Sequence, residues 1–146
     1  MRIALDAMGG DKAPDCVISG ADLSKGHNPH IEMVFFGDAD RIRPLLSHTN
    51  YLRDAEIIHA LESVSADDTA SQAVRRGKST SMWLAIAAVA AGEADAVVSA
   101  GNTGALMAMS KLQLRTMPGV TRPAIAGFFP TKRDIMCMLD LGANLE

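Results

Sequence analysis

Aromatic side chains are scarce in this 146-residue chain: one Trp, one Tyr and four Phe. Six rings leave no stacking platform for single-stranded nucleic acid. Excess positive charge is absent as well, since 14 Lys and Arg face 17 Asp and Glu for a formal net charge of −3. No nucleic-acid partner is expected from that balance. Only two cysteines occur, Cys16 and Cys137, far apart and without metal-ligand spacing. A reduced, cytoplasmic compartment is therefore expected. Long apolar runs are missing too. The longest, Met82 to Ala91, is half of the roughly 20 residues a membrane span needs. The N-terminus does not read as a signal peptide, because Arg2 is followed by only a few apolar residues before Asp6.

What remains is 48% hydrophobic and 21% charged, the composition of a globular domain with a core of its own. Short apolar runs alternate with helix-like stretches. RIALD (2–6), IEMVFFG (31–37), AEIIHA (55–60) and ADAVVSAG (94–101) read as strands. Helices are expected from Pro14 to about Lys25, through DADRIRPLL (38–46) with a distortion or end near Pro44, and over 82–93 and 102–115. Thr69 and Gln72 make a T-x-x-Q capping box that opens a helix through Val74 to Arg76, and GKSTS (77–81) breaks it and caps the next. RPAIAGFFPT (122–131) and DIMCMLDLG (134–142) add two strands. Strands alternating with helices predict an α/β fold, a mainly parallel sheet with helices on both faces. The last strand runs into a Gly-Ala-Asn turn where another helix is due. The domain therefore reads as truncated, with Leu145-Glu146 readable as a cloning remnant.

In such sheets ligands bind beyond the carboxyl ends of the strands. Three stretches there combine small residues with Asp or Asn: DAMGGD after the first strand, SAGNTGA after the fourth and DLGAN after the last. They supply the candidates Gly9, Gly10, Asp11, Lys12, Ser99, Gly101, Asn102, Thr103, Gly104, Asp140, Gly142 and Asn144. In SAGNTGA, Gly101 lets the backbone turn, Asn102 or Thr103 caps the helix, and Gly104 keeps its first turn open. Amides at a helix start form a ready phosphate site. The same residues also describe a well-capped helix with tight glycine packing. The recurrence of the theme at Gly9-Gly10 and Gly142 favours a ligand site. Asp11 reads as a cap for the Pro14 helix. Asp6 stays open between ordering its loop and holding a basic group, a metal or a water.

Arg75, Arg76 and Lys78 read as the solvated end of a helix. GKST imitates the end of a P-loop, but Gln72 stands where that motif needs Gly, and GNTG is not the dinucleotide fingerprint G-x-G-x-x-G. His27 and His30 in HNPH lack a third ligand, and no Ser-His-Asp arrangement can be argued from the four histidines. No metal and no cofactor are expected.

Taken together, MRIALDAMGGDKAP, AVRRGKSTSM, DAVVSAGNTGALMA, RPAIAGFFPT and MLDLGAN resemble, in order and spacing, the phosphate acyltransferase family of bacterial phospholipid synthesis. The resemblance implies transfer of a long-chain acyl group from acyl carrier protein to inorganic phosphate, giving acyl phosphate without nucleotide or metal. It also implies a Rossmann-like three-layer sandwich akin to the isocitrate and isopropylmalate dehydrogenases. A homodimer peripheral to the inner face of the cytoplasmic membrane is implied as well. Family members run to more than twice this length, so residues 1–146 would be the N-terminal part of a single larger domain. Asp6, Asn102 and Thr103 are the catalytic candidates within it, and the remaining candidates would bind phosphate or substrate. A phosphotransacetylase-like acyltransferase using coenzyme A and a non-catalytic phosphate-binding fragment are the alternatives.

Overall fold

The computed structural model describes residues 1–139, and the expected sites at Asp140, Gly142 and Asn144 lie outside the described residues. The chain divides into two compact units, 1–114 and 115–146.

The first unit is a four-stranded parallel sheet. Its strands are β1 (Arg2–Asp6), β2 (Glu32–Gly37), β3 (Glu56–His59) and β4 (Ala96–Ser99), in the order β3-β2-β1-β4. Five helices accompany them: α1 (Asp15–His27), α2 (Ala39–Leu46), α3 (Ala70–Arg76), α4 (Ser81–Ala90) and α5 (Thr103–Leu114). Alternation along the strands divides the core between the two faces. Leu5, Met33 and Phe35 pack with Ile18 and Ala21 of α1 and Ile42 and Leu46 of α2. Ala4, Val34 and Phe36 pack on Ala85 and Ala88 of α4. A further cluster joins Ala73, Met82, Ile86, Ala105 and Met109, so α3 and α5 lie against α4. Burying a side chain such as Phe35, which is wholly inaccessible, contributes about 2–3 kcal/mol. The expected α/β architecture, with helices on both faces of a parallel sheet, is the one found.

The local signals hold where they rest on capping chemistry. Thr69 Oγ1 accepts from the Gln72 amide (3.3 Å) while Gln72 Oε1 accepts from the Thr69 amide (2.8 Å). Gly77–Ser79 form a single 3₁₀ turn, after which Thr80 caps α4 through the Trp83 amide. Of the two possibilities at Pro44, a distortion or an end, the end is not found: α2 runs on to Leu46, with Ile42 and Leu46 buried on both sides of the proline. One expectation changes. α1 has no side-chain cap, so Asp11 does not serve as one. The Lys12 carbonyl instead accepts the Cys16 amide at 3.1 Å, and backbone alone closes that turn.

In the second unit, β5 (Ala126–Pro130) and β6 (Ile135–Leu139) pair antiparallel with each other. Both had been expected as strands. The link between them, residues 131–134, is a tight turn held by Thr131 and Asp134. A parallel crossover needs a dozen or more residues, so this link dictates a hairpin. Phe128 and Ile135 remain exposed on it.

Candidate functional site

The strand order reverses between β1 and β4, since the chain runs outward from β1 to β2 and β3 and then returns to β1's other side. Ligands of open α/β sheets bind at such a switch point, beyond the strand ends. Register places Asp6, the last residue of β1, directly opposite Ser99, the last residue of β4. The two glycine loops therefore leave the sheet side by side.

Asp6 lies beneath them, 2% exposed. Its carboxylate accepts from Ser81 Oγ and from Ser99 Oγ, both at 2.6 Å, and from the Met8 amide at 3.3 Å. Ser99 Oγ accepts in turn from the Gly101 amide at 3.1 Å. One carboxylate thus ties together the end of β1, the end of β4, the first residue of α4 and both loops. Negative charge is also favourable at the start of α4.

Above this anchor the loops touch backbone to backbone. A Cβ on Gly9 would stand 2.6 Å from Asp6 Oδ2 and 2.9 Å from the Gly101 amide nitrogen. Gly10 has φ +104°, which side-chain-bearing residues rarely adopt. Gly101 does not need a positive φ. A Cβ there would press on Met82 and on Gly9 Cα, at 3.1 and 3.2 Å.

The loops bound a pocket of about 620 Å³. Met8, Gly10 and Asp11 form one wall, Ala100 to Gly104 the floor and second wall, and Val64, Ser65 and Ala66 the third. α5 begins here. Asn102 Oδ1 accepts the Ala105 amide and the Asn102 carbonyl accepts that of Leu106, both at 3.0 Å. The amides of Thr103 and Gly104 belong to the first turn, which no helix carbonyl can reach. Thr103 and Gly104, at the positive end of a 12-residue helix, line the pocket.

Of the expected site residues, Gly10, Asp11, Gly101, Asn102, Thr103 and Gly104 share this lining. Gly9 and Ser99 support it from below, with Asp6 beneath them. Lys12 is exposed and stands off the lining.

The third wall was not anticipated, because LESVSADD reads as a polar connection. Asn102 holds it: its Nδ2 donates to the carbonyls of Asp68 (2.8 Å), Ala66 (3.1 Å) and Ser65 (3.4 Å). Asp68 accepts the Ser65 amide at 2.8 Å and pairs with Arg76 at 2.7 Å. Arg76, read in the sequence as a solvated helix end, is thus part of this loop's scaffold. The length of the segment between β3 and α3, with its Ser and Asp turn residues, was the available signal.

Asn102 therefore serves both the helix and the loop. We expect Asn102→Ala to destabilise the first unit by about 1–2 kcal/mol, the range for losing a helix cap. It should also loosen the 64–68 wall. Urea unfolding and hydrogen exchange at Ser65 to Asp68 check the two effects, and an unchanged exchange rate would refute the second.

The family model described as fatty acid synthesis protein matches residues 1–146. Among curated relatives, the phosphate acyltransferase of Rhodospirillum centenum is 57% identical over 145 residues, covering 99% of this chain and 41% of its own length. That of Parvibaculum lavamentivorans is 56% identical over 147 residues, at 99% and 41%. The phosphate acyltransferase of Paramagnetospirillum magneticum is 53% identical over 147 residues, at 100% and 42%. The chain thus spans about two-fifths of the length of these relatives. With the model matched from end to end over this α/β sheet, the chain belongs to the fatty acid synthesis protein family.

Proposed function

We propose that the pocket between the two glycine loops seats inorganic phosphate as the nucleophile of an acyl transfer, the reaction of a phosphate acyltransferase. The observation that carries the reading is that Thr103 and Gly104, the first two residues of α5, line a pocket built mostly of Gly, Ala and Ser. Phosphate needs N–H donors and a positive field, and the N-terminus of a helix is the element that offers both. The names of the relatives supply the acyl half of the reaction.

In this reading a phosphate oxygen attacks the carbonyl carbon of an acyl thioester on acyl carrier protein. The new C–O bond forms, the tetrahedral oxyanion collapses, and the C–S bond breaks. The sulfur leaves as thiolate and takes a proton, giving acyl phosphate and the free carrier thiol. Asn102 holds the pocket wall, Thr103 orients phosphate, and N–H donors stabilise the developing charge. Alignment of the two reactants supplies much of the acceleration. Asp6, buried and saturated with donors, positions the loops and does not touch phosphate. In the same reading, residues 1–146 form the N-terminal part of a single larger domain. The whole protein acts as a homodimer on the inner face of the cytoplasmic membrane, in keeping with the finding that no described helix is long and apolar enough to cross a membrane.

A second reading is supported by the chain's span of the relatives: a phosphate-binding fragment without turnover. One assay separates them. Acyl phosphate formation from acyl carrier protein thioester and phosphate is measured for this chain and for the full-length Rhodospirillum centenum relative, with acyl coenzyme A as a second donor. Turnover by both places the reacting groups within these residues. Turnover by the relative alone, with phosphate binding retained here, selects the fragment. Absence of phosphate binding sinks both readings.

Gly104→Leu isolates the site from the fold. A Cβ at Gly104 meets only Asn102 Oδ1, at an ordinary 3.5 Å, so the variant should fold with leucine filling the pocket. We expect at least a tenfold loss of phosphate affinity by calorimetry, with the unfolding midpoint nearly unchanged. Unaltered affinity would place phosphate elsewhere.

A further inference from the structure

The pocket between the glycine loops carries one charge, and its sign is the wrong one for an anion. Among the described residues that line it, Asp11 alone is charged. Its neighbour Lys12 stands outside the lining. The fold makes no use of the Asp11 carboxylate. Pro14 takes the N-cap position of α1, without any side-chain bond. Backbone closes the loop itself, as the Gly10 carbonyl accepts the Ala13 amide at 3.2 Å. Among the described residues, no hydrogen bond or ion pair engages that carboxylate, and the residue is exposed.

A carboxylate beside a phosphate repels it unless a proton lies between the two. Inorganic phosphate brings such a proton at neutral pH, as a P–OH group. A carboxylate offers acceptors only, and an O–H donor bonds to it at short range and strongly. Sulfate has the same tetrahedral shape but carries no proton at that pH. Towards sulfate, Asp11 would present lone pairs to lone pairs.

We infer that Asp11 selects phosphate over unprotonated tetrahedral anions by accepting a hydrogen bond from the P–OH group. This role rests on the phosphate pocket proposed above, and adds the form of the anion that the pocket takes. Asp11 stands on the DAMGGD wall, and Thr103 and Gly104 on the second. The protonated oxygen therefore faces DAMGGD, and the unprotonated oxygens face the start of α5, where the helix dipole favours negative charge. Sites built to bond a substrate hydroxyl reject analogues lacking it by about 10⁴–10⁵-fold. Asp11 is open to water, so a smaller ratio, about a hundredfold, is expected between phosphate and sulfate.

Calorimetric titration of the chain with phosphate, arsenate and sulfate, with and without EDTA, tests this role. Arsenate is also protonated at neutral pH and should bind within about tenfold of phosphate. Sulfate should bind about a hundredfold more weakly. In Asp11→Asn the side-chain amide can donate to an unprotonated oxygen. Sulfate affinity should then rise at least about tenfold, and the two anions should come within about tenfold of each other. The urea midpoint should stay where it is, because the carboxylate holds nothing in the fold. Adding Gly104→Leu to Asp11→Asn should remove the sulfate binding gained, which ties it to this pocket.

An unchanged ratio of phosphate to sulfate affinity in Asp11→Asn overturns the role of Asp11 and leaves the phosphate pocket standing. Equal affinities for the two anions in the unaltered chain do the same, as does arsenate bound as weakly as sulfate. Phosphate binding that EDTA abolishes assigns Asp11 to a divalent cation and also overturns the role. Failure of the chain to bind any of the three anions strikes the phosphate pocket itself, and the role of Asp11 falls with it.

Discussion

Asp6→Ala is expected to lower the stability of the first unit by about 3–5 kcal/mol, read as a fall in the urea midpoint. The carboxylate is nearly buried, so little water reaches the groups that it binds. Removing it strands the hydroxyls of Ser81 and Ser99 and the Met8 amide together. Each buried donor left without an acceptor costs about 1–3 kcal/mol, and hydrogen bonds to a charged group lie at the upper end. Against a typical domain stability of about 5–15 kcal/mol, that loss is a large share of the total. Asp6→Asn should be milder, about 1–2 kcal/mol, because one carbonyl oxygen survives. Its amide then faces a serine oxygen that already accepts from Gly101. Asp6→Ala combined with Ser81→Ala should lose less than the two single changes added together, since the double variant strands one donor fewer. A loss below about 1 kcal/mol for Asp6→Ala would refute the role of this carboxylate as the anchor of both loops.

The same residue shows how far the sequence could be read. Its position at the end of RIALD, before a glycine pair, placed it at a strand terminus. That followed from hydrophobic patterning and short-range turn chemistry alone. The Thr69–Gln72 box and a cap at Asn102 or Thr103 were legible for the same reason, because each is decided by residues three or four apart. Partners of Asp6 were not legible. Ser81 and Ser99 lie 75 and 93 residues away in the chain, and only the sheet order brings them to it. The third pocket wall was hidden in the same way, since Asn102 reaches Ser65 to Asp68 across more than 30 residues. Pairing of β5 with β6 is the reverse case. The four-residue gap between the apolar runs, Thr131 to Asp134, was available in the sequence and excluded a crossover. Small residues hid the most. Gly9, Gly10, Gly101 and Gly104 look alike as letters, yet their surroundings differ widely.

Those surroundings give the four glycines different expected responses to alanine. Gly9→Ala should destabilise by about 2–3 kcal/mol, the upper part of the range for overpacking a filled interior. Its Cβ would meet Asp6 Oδ2 at 2.6 Å, Ser99 Oγ at 2.7 Å and the Gly101 nitrogen at 2.9 Å. None of the three can retreat: the Ser99 hydroxyl donates to Asp6 Oδ2 and the nitrogen is backbone. Gly10→Ala should cost about 1–2 kcal/mol from its left-handed backbone. Gly101→Ala should cost about 1 kcal/mol, because one of its contacts is the flexible end of Met82. Gly104→Ala should be near neutral, as nothing crowds it. Function should follow the same geometry at Gly9. Prising DAMGGD from SAGNTG widens the pocket between Gly10 and Gly101, so phosphate affinity should fall along with stability. Calorimetric titration with phosphate, run well below each variant's unfolding midpoint, separates the two effects. If Gly9→Ala and Gly104→Ala unfold at the same urea concentration, the loops do not pack backbone to backbone, and the pocket they enclose has a different floor.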